Sequence, residues 1–526
     1  MKSKWCPAVI IWIGLVSWSC SQNNSKPVNN VPAAVANAAQ QLTNVLQTQG
    51  FEVSQGYFKL YQKGDCDYSY AVMKCCYANN PAAPYVMPVL PTWADEWLDP
   101  NLNGVFGPTY EGYSTTFRFD PREAIVILGQ LPPSARYFGL QTNVFTRQGD
   151  YSRISPQYQA ISQSPSLNPM LDMFFGYDPI DTSRIQLLAS LGNSINNAVI
   201  QTASGAAFNQ QRYFITTPDQ TMDAAVRAAF SNLGVDGKDI FTEPISSPLL
   251  QVGLGKEADD FYTLIRYSMP DDENAGETWR QNLPLVVLRV RDHQGLQQPV
   301  SYPAVQLDPR SSTNPTEKAA LGSELTTLVQ AVCQSWGLSC PYQNGVFSQP
   351  VLQTIIPQQQ PILEVGPQCI PVGMNCLADT QDTTYSFSPR LPFGGQRVYA
   401  AVGALSTATG NATYVGLGIN ASKRLVGIDN VSDAELAGSA NSYCSTVPDC
   451  GKFFVFYLAR DCTTLPSWAS LHCRTITADQ LPDYDPSDPN ADRLMLSLRD
   501  YVFPNTQRGP DENSVLPPYV IAVQTQ

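Results

Sequence analysis

Eight of the thirteen cysteines in this 526-residue chain fall in close pairs, and this spacing constrains the fold more than any other feature of the sequence. The pairs are Cys333 with Cys340, Cys369 with Cys376, Cys444 with Cys450, and Cys462 with Cys473. No pair has the two-residue gap of a zinc or redox motif, and the chain has two histidines, which argues against a Cys/His metal site. In an oxidising compartment the pairs predict four short-loop disulfides.

Three further cysteines, Cys66, Cys75 and Cys76, lie close together and leave one thiol over. That thiol is either buried or pairs with Cys20. Spacing alone leaves both connectivities open.

Residues 1–19 have the order of charge, apolar core and small residues that is typical of a secretory signal peptide. Lys2 and Lys4 precede an apolar segment, residues 8–18, and Ser19 precedes Cys20. The apolar segment is much shorter than the ~20 residues that cross a bilayer as a helix. We therefore predict cleavage between Ser19 and Cys20, export, and an extracytoplasmic location.

Cys20 would begin the mature chain, and a polar run, residues 21–30, follows it. This arrangement resembles the lipid-attachment site of bacterial lipoproteins, in which a diacylglyceryl group is joined to the cysteine. The resemblance implies a cell-envelope or outer-membrane lipoprotein that reaches its membrane through the lipid. The alternative is plain secretion, and in a eukaryotic source Asn411, Asn420 and Asn430 would be glycosylation candidates.

Length and composition indicate a globular protein of two or three domains, at ~150 residues each. We divide the chain into a tether and amphipathic helix (20–50), an α+β domain (51–345) and a β-rich domain (368–526), with the Pro- and Gln-rich residues 349–367 as a linker. The net charge of −13 and pI near 4.7 argue against nucleic acid as a partner, because binding it depends on Lys and Arg.

The hydrophobic pattern predicts an α+β fold that is β-rich, with mainly antiparallel sheets and a sandwich or jelly-roll-like C-terminal part. One hairpin is predicted from strands at 123–131 and 136–145, because Pro132, Pro133 and Ser134 mark a turn between them. Other predicted strands are 212–216, 261–267, 285–291, 396–407, 413–419, 452–459 and 519–523, and the predicted helices are 31–48, 181–200, 219–233 and 315–336.

One acidic stretch predicts a candidate catalytic site. Glu257, Asp259, Asp260 and Glu277 offer the two carboxylates that a glycosidase needs, one as proton donor and the other as base or nucleophile. His293, at the end of a predicted strand, is a candidate base. Acids that cluster on a solvated loop without catalytic function are the more common case.

Three Arg-Tyr dipeptides fall in predicted strands, at Arg136, Arg212 and Arg266. Because strand residues alternate between faces, each Arg points away from its Tyr. The arginines either gather an anionic ligand at the mouth of a sandwich or lie singly in solvent, each beside a buried tyrosine.

Oxygen-bearing side chains at Asp483, Asp485, Asp488 and Asp492 have a spacing that suits calcium, although the Gly and Glu of an EF-hand loop are absent. We expect no other cofactor. Two hypotheses follow: a lipid-anchored envelope or surface protein that binds a ligand or partner, and an extracytoplasmic hydrolase that uses paired carboxylates, with glycans as candidate substrates.

Overall fold

A computed structural model describes residues 31–149 except 74 and 78, 159, 162–163, 183–338, 366–481 except 368 and 374, and 492–524. The predicted signal peptide, Cys20, Cys340 and the candidate calcium ligands Asp483, Asp485 and Asp488 lie outside these residues. None of the described helices combines the length and the apolarity that crossing a bilayer requires.

Two sheets form the N-terminal half of the described chain. Sheet A has the strand order β1-β12-β5-β9-β10, and sheet B has the order β2-β3-β11-β6-β7, with β4 and β8 paired at its margins. The strands are β1 Glu52–Gln55, β2 Tyr57–Leu60, β3 Tyr85–Pro91, β4 Tyr113–Ser114, β5 Glu123–Gln130, β6 Ala135–Gln148, β7 Arg184–Ser190, β8 Ile195–Asn196, β9 Gln211–Thr217, β10 Ile240–Pro244, β11 Phe261–Pro270 and β12 Leu285–Arg291.

Two four-stranded sheets form the C-terminal half. Sheet C has the order β13-β19-β15-β16, and sheet D has the order β18-β17-β14-β20. The strands are β13 Thr383–Phe387, β14 Val398–Ala404, β15 Tyr414–Ala421, β16 Val426–Ser432, β17 Phe453–Ala459, β18 Cys473–Thr475, β19 Leu494–Tyr501 and β20 Tyr519–Gln524.

Helices cover the outer face of one sheet in each half. The helices are α1 Ala33–Thr48, α2 Asp65–Met73, α3 Asn197–Ser204, α4 Gln220–Asn232, α5 Glu273–Asn282, α6 Glu317–Ser335, α7 Cys369–Val372, α8 Ser406–Thr409, α9 Asp433–Leu436 and α10 Ser467–Ser470. Apolar residues of α1 and α4 pack on sheet A, and those of α6 pack on sheet D. Within each half, a further apolar core lies between the two sheets: one between sheets A and B, and one between sheets C and D.

The observed architecture confirms the α+β, β-rich prediction and the C-terminal sandwich. Most sheet pairings are antiparallel; the exceptions among the strand pairs of the described residues are β9 with β10 and β17 with β18. The predicted helix at 315–336 is α6, which begins after its N-cap Thr316, and the helix at 219–233 is α4, capped by Asp219.

Two local predictions are wrong. The strands at 123–131 and 136–145 form, but they do not pair as a hairpin, because β5 joins sheet A and β6 joins sheet B. Both strands are buried on both faces over most of their length, so each is a central strand with other neighbours. The helix predicted at 181–200 is replaced over residues 184–190 by β7, which pairs with β6, and helix begins only at Asn197.

The two halves share one topology. Each strand of sheets C and D has a counterpart in sheet B or A at the same place in the strand order, and both parallel pairs correspond. The counterparts are β3 and β13, β5 and β14, β6 and β15, β7 and β16, β9 and β17, β10 and β18, β11 and β19, and β12 and β20. The described chain is therefore two structural repeats, each a helical layer on a two-sheet sandwich.

Matching residues occupy matching places in the two repeats. Tyr137-Phe-Gly139-Leu on β6 corresponds to Tyr414-Val-Gly416-Leu on β15. Each glycine is paired across the ladder with an arginine, Gly139 with Arg266 and Gly416 with Arg499. Sheet B of the first repeat and sheet C of the second face each other at a seam, where the rings of Tyr137 and Tyr501 lie 4.7 Å apart.

Disulfides lie within single repeats. The structure confirms three predicted pairs, Cys369–Cys376, Cys444–Cys450 and Cys462–Cys473. It also pairs Cys66 with Cys76 and leaves Cys75 buried as a free thiol. Of the two possibilities for the leftover cysteine, Cys75 therefore takes the buried one.

Candidate functional site

A surface cleft of about 680 Å³ lies at one edge of sheet A, where four segments of the N-terminal repeat converge. They are the end of α1, the start of β1, the turn after β3 and the end of β12. The lining residues are Gln47, Gly50, Phe51, Glu52, Ala94, Asp95, Arg291, His293 and Gln294. Volumes of ~300–1,000 Å³ are typical of small-molecule sites.

Arg291 organises the charged part of this cleft. Its Nη1 donates to both carboxylate oxygens of Asp95 at 2.8 and 3.0 Å, and its Nη2 donates to Oε2 of Glu52 at 3.0 Å. The Arg291 side chain is 4% exposed, whereas those of Glu52 and Asp95 are 45% and 55% exposed. The cleft therefore presents two accessible carboxylates that a buried guanidinium holds in place.

Beneath Arg291 lie a tryptophan ring and a second, fully buried arginine. The Trp93 ring centroid lies 4.4 Å from the Arg291 guanidinium carbon and 5.0 Å from that of Arg289, two residues earlier on the same face of β12. Arg289 is fully buried and pairs with Glu96 at 2.6 Å and with Glu123. Burial raises the pKa of Glu123 to about 7, although Arg289 opposes the shift.

His293 stands at the rim of the cleft. The preceding Asp292 is buried and accepts hydrogen bonds from the backbone N–H groups of Leu296 and Gln297, at 2.9 Å each, which fixes the loop. His293 itself is exposed and lines the cleft beside Asp95. The hydrogen bond from Arg291 lowers the pKa of Asp95, and the charge of His293 acts in the same direction. Asp95 is therefore an anion at neutral pH.

The predicted carboxylate candidates have other partners. Asp260 is buried and pairs with Arg118 at 2.6 Å and Arg184 at 3.0 Å, and Asp259 is buried and pairs with Arg147 at 2.7 Å. Since both acids are enclosed in ion pairs, neither presents an open carboxylate.

The two remaining predicted acids are exposed. Glu257 lies in a loop, and Glu277 lies on α5 with its carboxylate 3.5 Å from Arg280. The cleft contains none of the four predicted acids, and of the candidate residues it contains only His293.

The three candidate arginines are not gathered at one site. Arg136 is exposed at the start of β6, as expected for a solvated arginine beside a buried tyrosine. Arg212, on sheet A, is buried and lies 3.5 Å from Asp239. Arg266, on sheet B, is buried at the seam between the repeats.

The structure also shows the surroundings of the calcium and glycosylation candidates that it describes. Asp492, the one candidate calcium ligand among the described residues, is buried and accepts from the backbone N–H groups of Lys423 and Arg493, at 2.8 and 2.9 Å. The described residues contain no group of three or more acids, histidines or cysteines that could hold a metal ion. Asn411 and Asn420 are fully buried, so a glycan on either is excluded in the folded protein.

Glu52, Asp95 and Arg291 were not identified from the sequence. The available signal was Arg289-Val-Arg291, since two arginines on one face of an otherwise apolar strand require acidic partners when they are buried. Those partners come from segments far away along the chain, which spacing does not reveal.

Comparison with known proteins adds little to this description. No protein-family profile and no curated protein matches the chain. Two solved structures align with 93% of this chain and 96% of their own: a protein from Vibrio parahaemolyticus, at 8% identity and a TM-score of 0.33, and an uncharacterised protein from Burkholderia cenocepacia, at 9% identity and a TM-score of 0.32.

Proposed function

We propose that this chain is an exported, lipid-tethered protein that binds a small polar ligand in the Arg291 cleft. The observation that carries the proposal is the pair of accessible carboxylates, Glu52 and Asp95, fixed by one buried guanidinium in a cleft of about 680 Å³. Both carboxylates are held in advance of binding, so little side-chain entropy is lost when a ligand arrives.

The walls of the cleft indicate the chemistry of that ligand. Two carboxylates with one arginine and an exposed histidine leave the cleft acidic when the histidine is neutral. Ionised carboxylates accept hydrogen bonds and donate none. The preferred ligand therefore carries an amino group or several hydroxyl groups.

Export is supported by the cysteines. Disulfides persist in oxidising compartments and are rare in reducing ones. Four disulfides among the described residues suit an extracytoplasmic protein, and the resemblance of Cys20 and residues 21–30 to a lipoprotein attachment site supplies the tether.

The competing hydrolase has weaker support. Catalysis by paired carboxylates needs one acid that stays protonated near neutral pH, which requires a raised pKa. In the cleft, Arg291 lowers the pKa of Asp95. Asp259 and Asp260 are enclosed in ion pairs, so they do not supply the missing acid either.

A thermal-shift screen with amines and oligosaccharides tests the proposal. A ligand that binds only the folded state raises the melting temperature. We expect at least one of these compounds to stabilise the wild type, and Asp95→Asn and Glu52→Gln to lose that shift.

The matched control is Asp67→Asn, which removes an exposed carboxylate 2.9 Å from Arg424 on another surface. It should keep the full ligand-dependent shift. A panel that leaves the wild type unchanged, or a shift that all three variants retain, would overturn the proposal. Turnover of an oligosaccharide that Asp95→Asn abolishes would overturn it in favour of the hydrolase.

A further inference from the structure

The face of sheet B that points toward the seam carries a polar pair without hydrogen-bond partners. Asn143 on β6 and Tyr262 on β11 are directly opposite each other in the ladder. Among the described residues, Oδ1 and Nδ2 of Asn143 and the hydroxyl of Tyr262 have no partner, and both residues are at most 1% exposed. A polar group that is buried without a partner loses its hydrogen bonds to water and gains none in exchange, so such pairs are uncommon.

Arg266 lies on the same face of β11 and is 4% exposed. Within the described part of the chain, no carboxylate lies within ion-pair distance of its guanidinium. It has one long hydrogen bond, 3.5 Å from Nη2 to the carbonyl of Ala378, and its guanidinium carbon is 5.3 Å from the Tyr85 ring centroid. Buried charges normally have an opposite charge beside them.

Neutral donors hold the acids closest to this region. Asp379 accepts from the backbone N–H of Ser190 at 3.1 Å and from its hydroxyl at 2.7 Å. Asp382 accepts from the hydroxyl of Tyr137 at 3.1 Å. Both carboxylates act on Arg266 only at longer range, so the guanidinium keeps its donors for another group.

The C-terminal repeat satisfies the amide nitrogen at the same position internally. Asn420 on β15 is the counterpart of Asn143, and its Nδ2 donates to the carbonyl of Met495 at 3.1 Å and to the hydroxyl of Ser497 at 3.2 Å, whereas its Oδ1 has no partner among the described residues. Met495 takes the place of Tyr262 in the ladder. The N-terminal repeat has polar groups here that its own side chains do not satisfy.

We propose that this position, beside the carbonyl of Ala378, binds a small organic carboxylate that also carries a hydroxyl or amino group. The carboxylate pairs with Arg266, whose fork of donors matches two oxygens. The second polar group reaches the hydroxyl of Tyr262 and the amide of Asn143, which can both donate and accept. This site is separate from the Arg291 cleft, and it does not depend on the function proposed there.

Tyr262→Phe tests the proposal without disturbing the fold, because the hydroxyl that it removes has no partner among the residues that the structure describes. Melting temperatures are measured with and without small hydroxy acids and amino acids, with acetate and glycerol as single-feature probes. We expect a hydroxy or amino acid to stabilise the wild type more than acetate or glycerol, and Tyr262→Phe and Arg266→Met to lose most of that gain.

Tyr267→Phe is the matched control. Tyr267 is on the same strand, and its buried hydroxyl also has no partner in the described part of the chain, but it faces the other way, with its ring 5.5 Å from that of Trp279. It should keep the wild-type gain in melting temperature, as should Asp67→Asn on another surface. If no compound stabilises the wild type, or if both tyrosine variants respond alike, the polar groups bind water only and the proposal is wrong.

Discussion

Asp500 on β19 illustrates how burial changes the ionisation of a side chain. It is 2% exposed, and its Oδ1 has no hydrogen-bond partner among the described residues. Burial raises its pKa to about 8, and the charge of the nearby Glu317 adds to the shift. The folded protein therefore keeps a proton at Asp500 under conditions in which the unfolded chain has released it.

The sign of the effect on stability follows from linkage. Between the ordinary value of 3.8 and about 8, the folded state binds more protons at Asp500 than the unfolded state does. The free energy of unfolding therefore falls as pH rises through this window and levels off above it. Asp500→Asn should remove this fall. Near the upper end of the pH window the variant should be more stable than the wild type, by at least about 1 kcal/mol.

Urea unfolding of both proteins across this pH range measures the effect. Asp67→Asn is the control, because the Asp67 side chain is 78% exposed. It should leave the pH profile unchanged. A variant at position 500 with the same pH dependence as the wild type would show that Asp500 does not hold its proton.

The ends of α1 and α6 show the repeat at the level of an element. Gly50 follows α1 with φ of +93°, and Gly337 follows α6 with φ of +67°. Each helix ends with the same kind of backbone hydrogen bond, which joins residues five apart. After α1, Phe51 N donates to Leu46 O, and after α6, Leu338 N donates to Cys333 O. This cap needs a left-handed residue, a conformation that glycine adopts without strain.

Alanine at either cap should therefore be costly. We expect Gly50→Ala and Gly337→Ala each to lower the free energy of unfolding by about 1–2 kcal/mol, the penalty for a side chain in this conformation. Gly237→Ala is the control, because that glycine is not left-handed and has open space around it. Chemical denaturation measures all three, and cap variants as stable as the control would contradict the assignment of the caps.

Among the helices and strands, local sequence patterns predicted some elements well but not how the strands pair. Strands such as β12 and helices such as α4 and α6 follow from local periodicity and caps, so they were predicted closely. The β5–β6 hairpin failed because partner choice depends on distant strands. The repeat had a visible signal in Tyr137-Phe-Gly-Leu and Tyr414-Val-Gly-Leu, but four residues do not establish a topology.

At the scale of the whole molecule, two repeats meet across a polar seam. The stacked rings of Tyr414 and Tyr501 lie 4.9 Å apart at this seam, and Asn80 of the first repeat donates to the hydroxyl of Tyr501 at 3.4 Å. The cleft lies on the other side of the first repeat, at an edge of sheet A. We therefore expect ligand binding there to leave the contacts between the repeats in place.

The tether is also a property of the whole molecule. If Cys20 carries the lipid, the mature N-terminal peptide has the mass of a diacylglyceryl cysteine and the protein sediments with membranes. Cys20→Ser should release it into the soluble fraction, and Cys75→Ser, which removes a buried thiol, should not. An unmodified Cys20 in a membrane-free protein would replace the tether with plain secretion.

Calorimetric titration of the cleft ligand is the most direct test of the central claim. With a compound from the screen, the wild type should bind one equivalent, and Asp95→Asn should bind it at least about tenfold more weakly, a loss of about 1.4 kcal/mol. Asp67→Asn should bind like the wild type. Equal affinity in the wild type and Asp95→Asn would show that the Arg291 cleft is not the binding site.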